Sequence, residues 1–367
     1  LTEIEIPKSL TSAPDLAAFK GSSIEKVTFE QGTTRIADNL LKEITSLKTV
    51  LLPETVTEIG NNAFMSCTGL EMITLPDSVA KIGSFTFYDC TSLSSVRLPK
   101  SLLNIGKSGF GNCSALKEIE IPKNLSEVNG GAFIGSGLAT AVFEEGITKV
   151  IDGLFSGCGS LQSVTIPDTV TVIGELSFGS CSALTAVEIP ASVTTIGNRA
   201  FMQCTGLTGI VLPDSITGIG DSAFANCTSL AQLTLSKRVT QIEKDAFLNC
   251  ISLTQVEIPK SLLSASGIFA GCSGLKTITF EEGTEMIREG LLMNCGGLEE
   301  IIIPDTVMAI GNYAFSGCTN LSKIDIPDSV VTIGEYAMSS CSGLSAIEIP
   351  GSVTTIGSYA FYGCSAL

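Results

Sequence analysis

The amino-acid sequence predicts a right-handed solenoid of about sixteen turns of 23 residues, with a parallel β-sheet on one face and short strand and helical-turn segments on the others. Three observations predict it. Prolines step by 23 residues through Pro53, Pro76, Pro99 and Pro122, through Pro167, Pro190 and Pro213, and through Pro304, Pro327 and Pro350. Cysteines keep the same step at Cys158, Cys181, Cys204, Cys227 and Cys250, and apolar residues recur in fixed phase between them. Adding Pro7 and Pro259, with Glu30, Glu144, Ser236 and Glu281 where proline is due, makes sixteen units that fill residues 1–367 as one array. Two steps, 122 to 144 and 259 to 281, are one residue short. A repeat array grows along one axis, so length alone does not demand several closed domains.

Each element of the unit has a physical reason. The unit from Leu321 reads LSKIDIPDSVVTIGEYAMSSC, and its neighbour from Leu298 reads LEEIIIPDTVMAIGNYAFSGC. Leu321, Ile324 and Ile326 match the LxxLxL signature of leucine-rich repeats, in which each turn adds one short strand to a parallel sheet. Pro327 ends that strand because it has no N–H for the ladder. Val330 and Ile333 then point inward from a second extended segment. Gly334 permits a sharp turn, and Ala337-Met338, Ala-Phe in most units, leads a short helical turn toward Cys341. Stacking places every inward residue on its own copies, so Phe64, Phe87, Phe110 and Phe133 form one ladder. The leucine-rich-repeat solenoid is thus the predicted fold class.

The segment IPDSVVTIGEYAMSSCSGL and its fifteen looser copies resemble the BspA-like leucine-rich repeats, also called the Treponema pallidum type. The resemblance covers the whole chain. It implies a bacterial protein, secreted or attached to the cell surface, of a kind in which some members act as adhesins toward host matrix proteins or other cells. It supplies no fixed catalytic or ligand residues to carry over. Three units depart from the pattern, VTFEQG at 27–32, AVFEEG at 141–146 and ITFEEG at 278–283, and each follows a unit beginning IPKSL or IPKNL. They read either as bends or docking points, or as the trace of a duplicated larger block in which phenylalanine takes up extra core room. Leu1 and Leu367 share one phase of the repeat, which reads as a piece of a longer polypeptide.

Composition excludes several classes. With 21 Lys+Arg against 37 Asp+Glu the net charge is −16, opposite to the basic stripe of a nucleic-acid binder and to an electrostatic hold on anionic lipid. The chain lacks the run of roughly 18 apolar residues needed for a membrane span, so no direct membrane insertion is expected of it. Histidine is absent, which removes the usual nucleophile–base pairs and the commonest general base. The glycines recur once per turn and form no phosphate loop, so neither an enzyme nor a cofactor is expected. The 13 cysteines make no CxxC pair and face inward as small apolar groups, so neither disulfides nor a metal site are expected of them. Asp-Ser and Asp-Thr pairs such as Asp77-Ser78, Asp168-Thr169, Asp214-Ser215 and Asp305-Thr306 invite a calcium reading, but turn-capping side chains explain them more simply.

Recognition in a solenoid sits at variable positions among constant ones. The residues two before each proline project from the main sheet and form a mildly acidic, threonine-rich stripe that includes Glu257, Asp325 and Glu348; a solvated sheet face explains this stripe without a ligand, and that reading is favoured. A second candidate is the row Tyr313, Tyr336 and Tyr359, one turn apart, whose rings offer an apolar face and a polar tip to sugar or peptide. Self-stacking that shields the core explains the same row without a ligand. The expected function is a non-catalytic binding scaffold, an extracellular or cell-surface adhesion module for proteins or glycans. A passive spacer presenting another domain is the alternative.

Overall fold

The computed structural model describes residues 2–12 and 18–367, so Leu1 and its place in the repeat lie outside the described residues. The chain forms two compact units, Leu1–Val170 with Leu176–Leu184, and Thr171–Glu175 with Thr185–Leu367. Sixteen strand positions bound about fifteen complete turns of about 23 residues.

In the first unit the main sheet is parallel and in register with the repeat. Strand Glu3–Ile6 pairs with Lys26–Phe29, which pairs with Thr49–Leu51, so Ile4, Val27 and Val50 stand in one row. Strands Glu118–Ile121, Thr140–Phe143 and Ser163–Thr165 repeat the arrangement. Residues alternate in and out along each strand, so Ile119 and Ile121 are buried while Glu118 and Glu120 are exposed. Two-residue strands make the second side, as in the rows Ile36, Ile59, Ile82 and Ile105, all buried. The second unit has the same parts, with Gly209–Val211 paired to Gln232–Thr234, Gln255–Ile258 to Thr277–Phe280, and Lys323–Asp325 to Ala346–Glu348.

The third side corrects the sequence expectation. No helix occurs between the glycine and the cysteine of a turn among the described residues. Instead each turn holds two left-handed residues four positions apart, for example Asn62 and Ser66 at φ 53° and 58°, or Phe85 and Asp89 at 55° and 58°. A right-handed helix cannot pass through such residues. They free alternate N–H groups to donate to the next turn: Asn62 to Ser84 O at 2.9 Å, Phe64 to Thr86 O at 2.9 Å and Ser66 to Tyr88 O at 2.7 Å. The segment therefore behaves as another ladder between turns, which is what keeps the repeat length so strict.

The core is a set of side-chain columns. Phe64, Phe87, Phe110, Phe133, Phe155 and Phe178 are fully buried, and neighbouring rings stack with centroids 5.0–5.9 Å apart. Phe201, Phe224, Phe247 and Phe269 form the column of the second unit, continued by Leu292, Phe315 and Met338. Beside them runs a thiol column. Cys90 Sγ donates to Phe64 O at 3.2 Å, Cys113 to Phe87 O at 3.2 Å and Cys227 to Phe201 O at 3.2 Å. Each cysteine thus satisfies a carbonyl of the turn before it while filling apolar space, so every thiol is buried and free.

Candidate functional site

The hydroxyls after each proline are structural. Ser78 Oγ donates to Val56 O at 2.5 Å, Ser215 to Val193 O at 2.7 Å and Ser329 to Val307 O at 2.7 Å. The aspartates beside them cap the next turn: Asp214 accepts the Lys237 N–H at 2.9 Å, and Asp77 accepts that of Lys100 at 3.4 Å. These side chains are spent on the fold, as the turn-capping expectation holds.

The three units with Phe-Glu use a different device. Glutamate in place of proline restores an N–H, and Glu30, Glu144 and Glu281 donate it to Ile6, Ile121 and Ile258 O, each at 2.9 Å. The sheet gains one rung there, so strands Lys26–Phe29, Thr140–Phe143 and Thr277–Phe280 and the strand before each run four residues where the other main-sheet strands run three. The glutamate side chain then turns back to accept the N–H of the lysine after the preceding proline, at 2.9 Å from Lys8, 2.9 Å from Lys123 and 3.1 Å from Lys260. The Lys260 amide, followed by its ammonium 3.3 Å away, holds the Glu281 carboxyl below its ordinary value. The lysine N–H and the glutamate carboxylate form one clasp, joined by the ammonium at Lys8, 3.0 Å from Glu30, and at Lys260, 3.3 Å from Glu281. Beneath two of the Phe-Glu units the sequence runs in parallel, Asp77, Lys100, Lys123, Glu144 and Asp214, Lys237, Lys260, Glu281, each residue 137 positions after its counterpart.

Both of these clasps border a hollow on the exposed face of the main sheet. The hollow in the first unit has a volume of about 570 Å³ and that in the second about 360 Å³. They are lined by equivalent residues: Lys100, Glu120, Pro122, Thr140 and Glu144 in one, Lys237, Glu257, Pro259, Thr277 and Glu281 in the other. Each falls at a one-residue-short step. Val96, Leu98 and Ile119, or Leu233, Leu235 and Val256, run along the bottom with their side chains buried in the core, so the outward residues between them make the walls.

Of the residues singled out from the sequence, Glu257 lies in the second hollow, outward on its strand and opposite Thr279. Asp325 and Glu348 do not line it; they face each other in register, and Asp325 is held by Lys323 Nζ at 2.8 Å. Tyr313, Tyr336 and Tyr359 do stack, with centroids 5.0 Å apart and ring planes 7° and 15° from parallel. Tyr362 closes the row edge-on, 5.9 Å from Tyr359 at 85°. The stacking directs ring faces at one another and leaves edges and hydroxyls outward, so the row is less suited to stacking on a sugar than single exposed rings would be. The three ladder tyrosines have left-handed φ of 51–58°, but Arg199 and Leu176 take the same conformation at the same repeat position. The strain therefore belongs to the repeat and does not mark a site.

A family model described as a BspA-type leucine-rich repeat region of six copies matches residues 1–68, 34–161, 148–266 and 265–367. The chain belongs to the BspA-type leucine-rich-repeat family. The crystal structure of a leucine-rich repeat protein from Bacteroides ovatus is 31% identical over 97% of this chain and 85% of that one, with a TM-score of 0.68. A leucine-rich cell surface protein from Faecalibacterium prausnitzii is 26% identical over 91% of this chain and 79% of that one, with a TM-score of 0.43. A leucine-rich repeat protein of T. pallidum is 30% identical over 44% of this chain and 78% of that one, with a TM-score of 0.37. No curated protein matches the chain.

Within this BspA-type array the thiols sit in the core. Burial pushes those of Cys67, Cys113, Cys158 and Cys227 up to about 12, so the nucleophilic thiolate is scarce near neutral pH. Among the described residues no helix is long and apolar enough to cross a membrane, and no group of His, Cys, Asp or Glu is placed to hold a metal ion. Sequence reading missed Lys100, Glu120, Lys237 and Thr277 as a group. The signal that could have found them is the coincidence of short step and Phe-Glu unit, which occurs twice.

Proposed function

We propose that this BspA-type chain is a non-catalytic binding scaffold, an adhesion module at the bacterial surface that presents its main-sheet face to protein or glycan ligands. The observation that carries the reading is the pair of equivalent hollows on the outer sheet face, lined by outward Lys, Glu and Thr side chains. Elsewhere the polar groups of the turns are consumed by cross-turn bonds, as at Ser78, Thr306 and Ser329. The absence of histidine and the buried state of every cysteine support a role without catalysis. Placement outside the cell follows the family resemblance, and the net charge of −16 disfavours nucleic acid as a partner.

The test is binding of the purified chain to immobilised matrix proteins and host-type glycans at physiological salt, with and without calcium. Saturable binding weakened by the double substitution Glu120→Ala/Glu257→Ala locates recognition on the sheet face. Weakening by Tyr313→Ala, Tyr336→Ala and Tyr359→Ala instead moves it to the tyrosine row. No binding across the panel overturns the adhesive reading in favour of a spacer.

A further inference from the structure

We infer that Asn129-Gly130 is a site of self-modification, at which the backbone nitrogen of Gly130 attacks the side-chain amide of Asn129 and converts it to aspartate and isoaspartate. The reaction takes water as its only co-reactant and does not depend on what the chain binds.

The position departs from the repeat. Asn129 follows Val128 where other turns have Gly60, Gly83, Gly106, Gly197 and Gly220. Glycine stands there because successive turns approach closely: a Cβ at Gly83 would lie 2.6 Å from the Asn61 nitrogen, and one at Gly106 closer still to that of Ser84. Asn129 brings a Cβ into this crowded place, and the backbone after it takes another course. Gly130 is left-handed at φ 81° and Gly131 at 52°, whereas the residues equivalent to Gly130, which are Asn61, Ser84 and Lys107, are not left-handed.

The cap on the attacking nitrogen is missing as well. In the turns before, the side chain at this position accepts the N–H of its copy one turn on. Asp38 accepts that of Asn61 at 3.0 Å, Asn61 that of Ser84 at 2.8 Å, and Ser84 that of Lys107 at 3.2 Å. Lys107 carries no acceptor to continue the series, and the Gly130 N–H meets no other among the described residues. A hydrogen bond would both hold that proton and fix the direction of the nitrogen; Gly130 has neither restraint. Asn129 is exposed, and its side-chain amide has no hydrogen-bond partner among the described residues. Nothing lies within 4 Å of where a Gly130 Cβ would stand, so no neighbour obstructs ring closure.

The chemistry balances without oxidant or reductant. Gly130 gives its N–H proton to solvent base, and its nitrogen bonds to Asn129 Cγ. The Cγ–Nδ2 bond breaks, and the amide group takes up a proton and leaves as ammonia. Water then opens the cyclic imide at one of its two carbonyls. Opening at the side-chain carbonyl gives aspartate, and opening at the backbone carbonyl gives isoaspartate, whose main chain is one carbon longer. The bonds beside the added carbon are Asn129 N–H to Ile105 O at 3.1 Å and Ser108 N–H to Gly130 O at 3.3 Å. Strand Glu127–Val128, paired to Asn104–Ile105, ends its sheet, so the disturbance stays local.

The experiment incubates the intact chain at mildly alkaline pH, folded and, in parallel, in denaturant. Each asparagine is followed by peptide mass spectrometry with fragmentation that separates aspartate from isoaspartate. The expected result is that Asn129 loses its amide in the folded chain, while the exposed Asn124, Asn198 and Asn312, which precede Leu, Arg and Tyr, keep theirs. Lys107→Ser restores the acceptor that Ser84 provides one turn earlier and slows conversion about fivefold, the factor of one ordinary hydrogen bond. Lys107→Met removes the same charge without supplying an acceptor and leaves the rate unchanged. Hydrogen exchange on the converted chain shows lost protection at Ser108 and Asn129. Circular dichroism confirms that both variants are folded. The inference is overturned if Asn129 keeps its amide as long as Asn124 and Asn198, if it converts only in denaturant, or if the serine and methionine variants react at one rate.

Discussion

Truncating one ring of the phenylalanine column tests whether stacking between turns carries the stability of this fold. Phe224 is fully buried, with Phe201 and Phe247 each 5.1 Å away and nearly parallel. Phe224→Ala removes both contacts and leaves a void that cannot close, because Phe201 and Phe224 N–H groups bind the following turn at 2.7 Å on either side of it. The expected cost is about 3–5 kcal/mol, of which each stacked pair supplies roughly 0.5–1.5. Phe224→Leu should cost less, about 1–1.5 kcal/mol, since Leu292 fills the equivalent place in the same unit. Hydrogen exchange read by mass spectrometry is the suitable assay, because a repeat array need not unfold in one step. Amides of the turns holding Phe201, Phe224 and Phe247 should lose protection by roughly two to three decades, and those around Phe315 much less. A uniform loss across the unit, or an alanine variant no worse than leucine, would refute nearest-neighbour stacking as the source.

Alkaline titration should unfold the protein steeply. Thiols with an ordinary value near 9 are pushed by burial to about 12 in the folded chain at Cys67, Cys113, Cys158, Cys227 and Cys341. The folded state then holds more protons than the unfolded one above pH 9, so the stabilisation is complete below that pH and is lost as pH rises toward 12, by about 1.4 kcal/mol per unit for each such thiol. Thiol reagents at pH 8 should modify native cysteines slowly, Cys364 first as the least buried, and all 13 in denaturant. The clasp predicts that Glu281→Pro, which removes the N–H to Ile258 and the acceptor for Lys260, lowers stability by about 1–2 kcal/mol, while Glu281→Gln keeps the rung and is nearly neutral in urea melts; equal effects would deny the rung its role. With no tryptophan and four of 5 tyrosines in one cluster, Tyr336→Ala should reduce near-ultraviolet dichroism by more than one tyrosine's share. Arg199→Gly should raise the melting point slightly, because it removes a left-handed side chain worth roughly 1 kcal/mol of strain.

The recurrence of Pro76, Phe87 and Cys90 at one phase was sufficient to name the fold, because a stack buries identical residues on one another and any drift in phase would be felt in every turn. The inward place of the cysteines followed from the same logic. What the periodicity could not convey was backbone conformation where no glycine announces it. Phe85, Leu176 and Tyr336 are left-handed at positions that look helical in sequence, since the inter-turn bonds overrule local preference. The candidate site was legible only in part. Glu257 and the short steps at 122–144 and 259–281 were visible, but Lys237 and Glu257 lie 20 residues apart in the chain and line one hollow only after stacking. The sequence by itself determined the repeat, its core columns and its lack of histidine chemistry, all of which depend on residue identity in a fixed phase. Only the tertiary structure decided that Phe-Glu units clasp the lysine of the turn before and that two of them border a hollow, because that outcome depends on which N–H groups one turn leaves for the next.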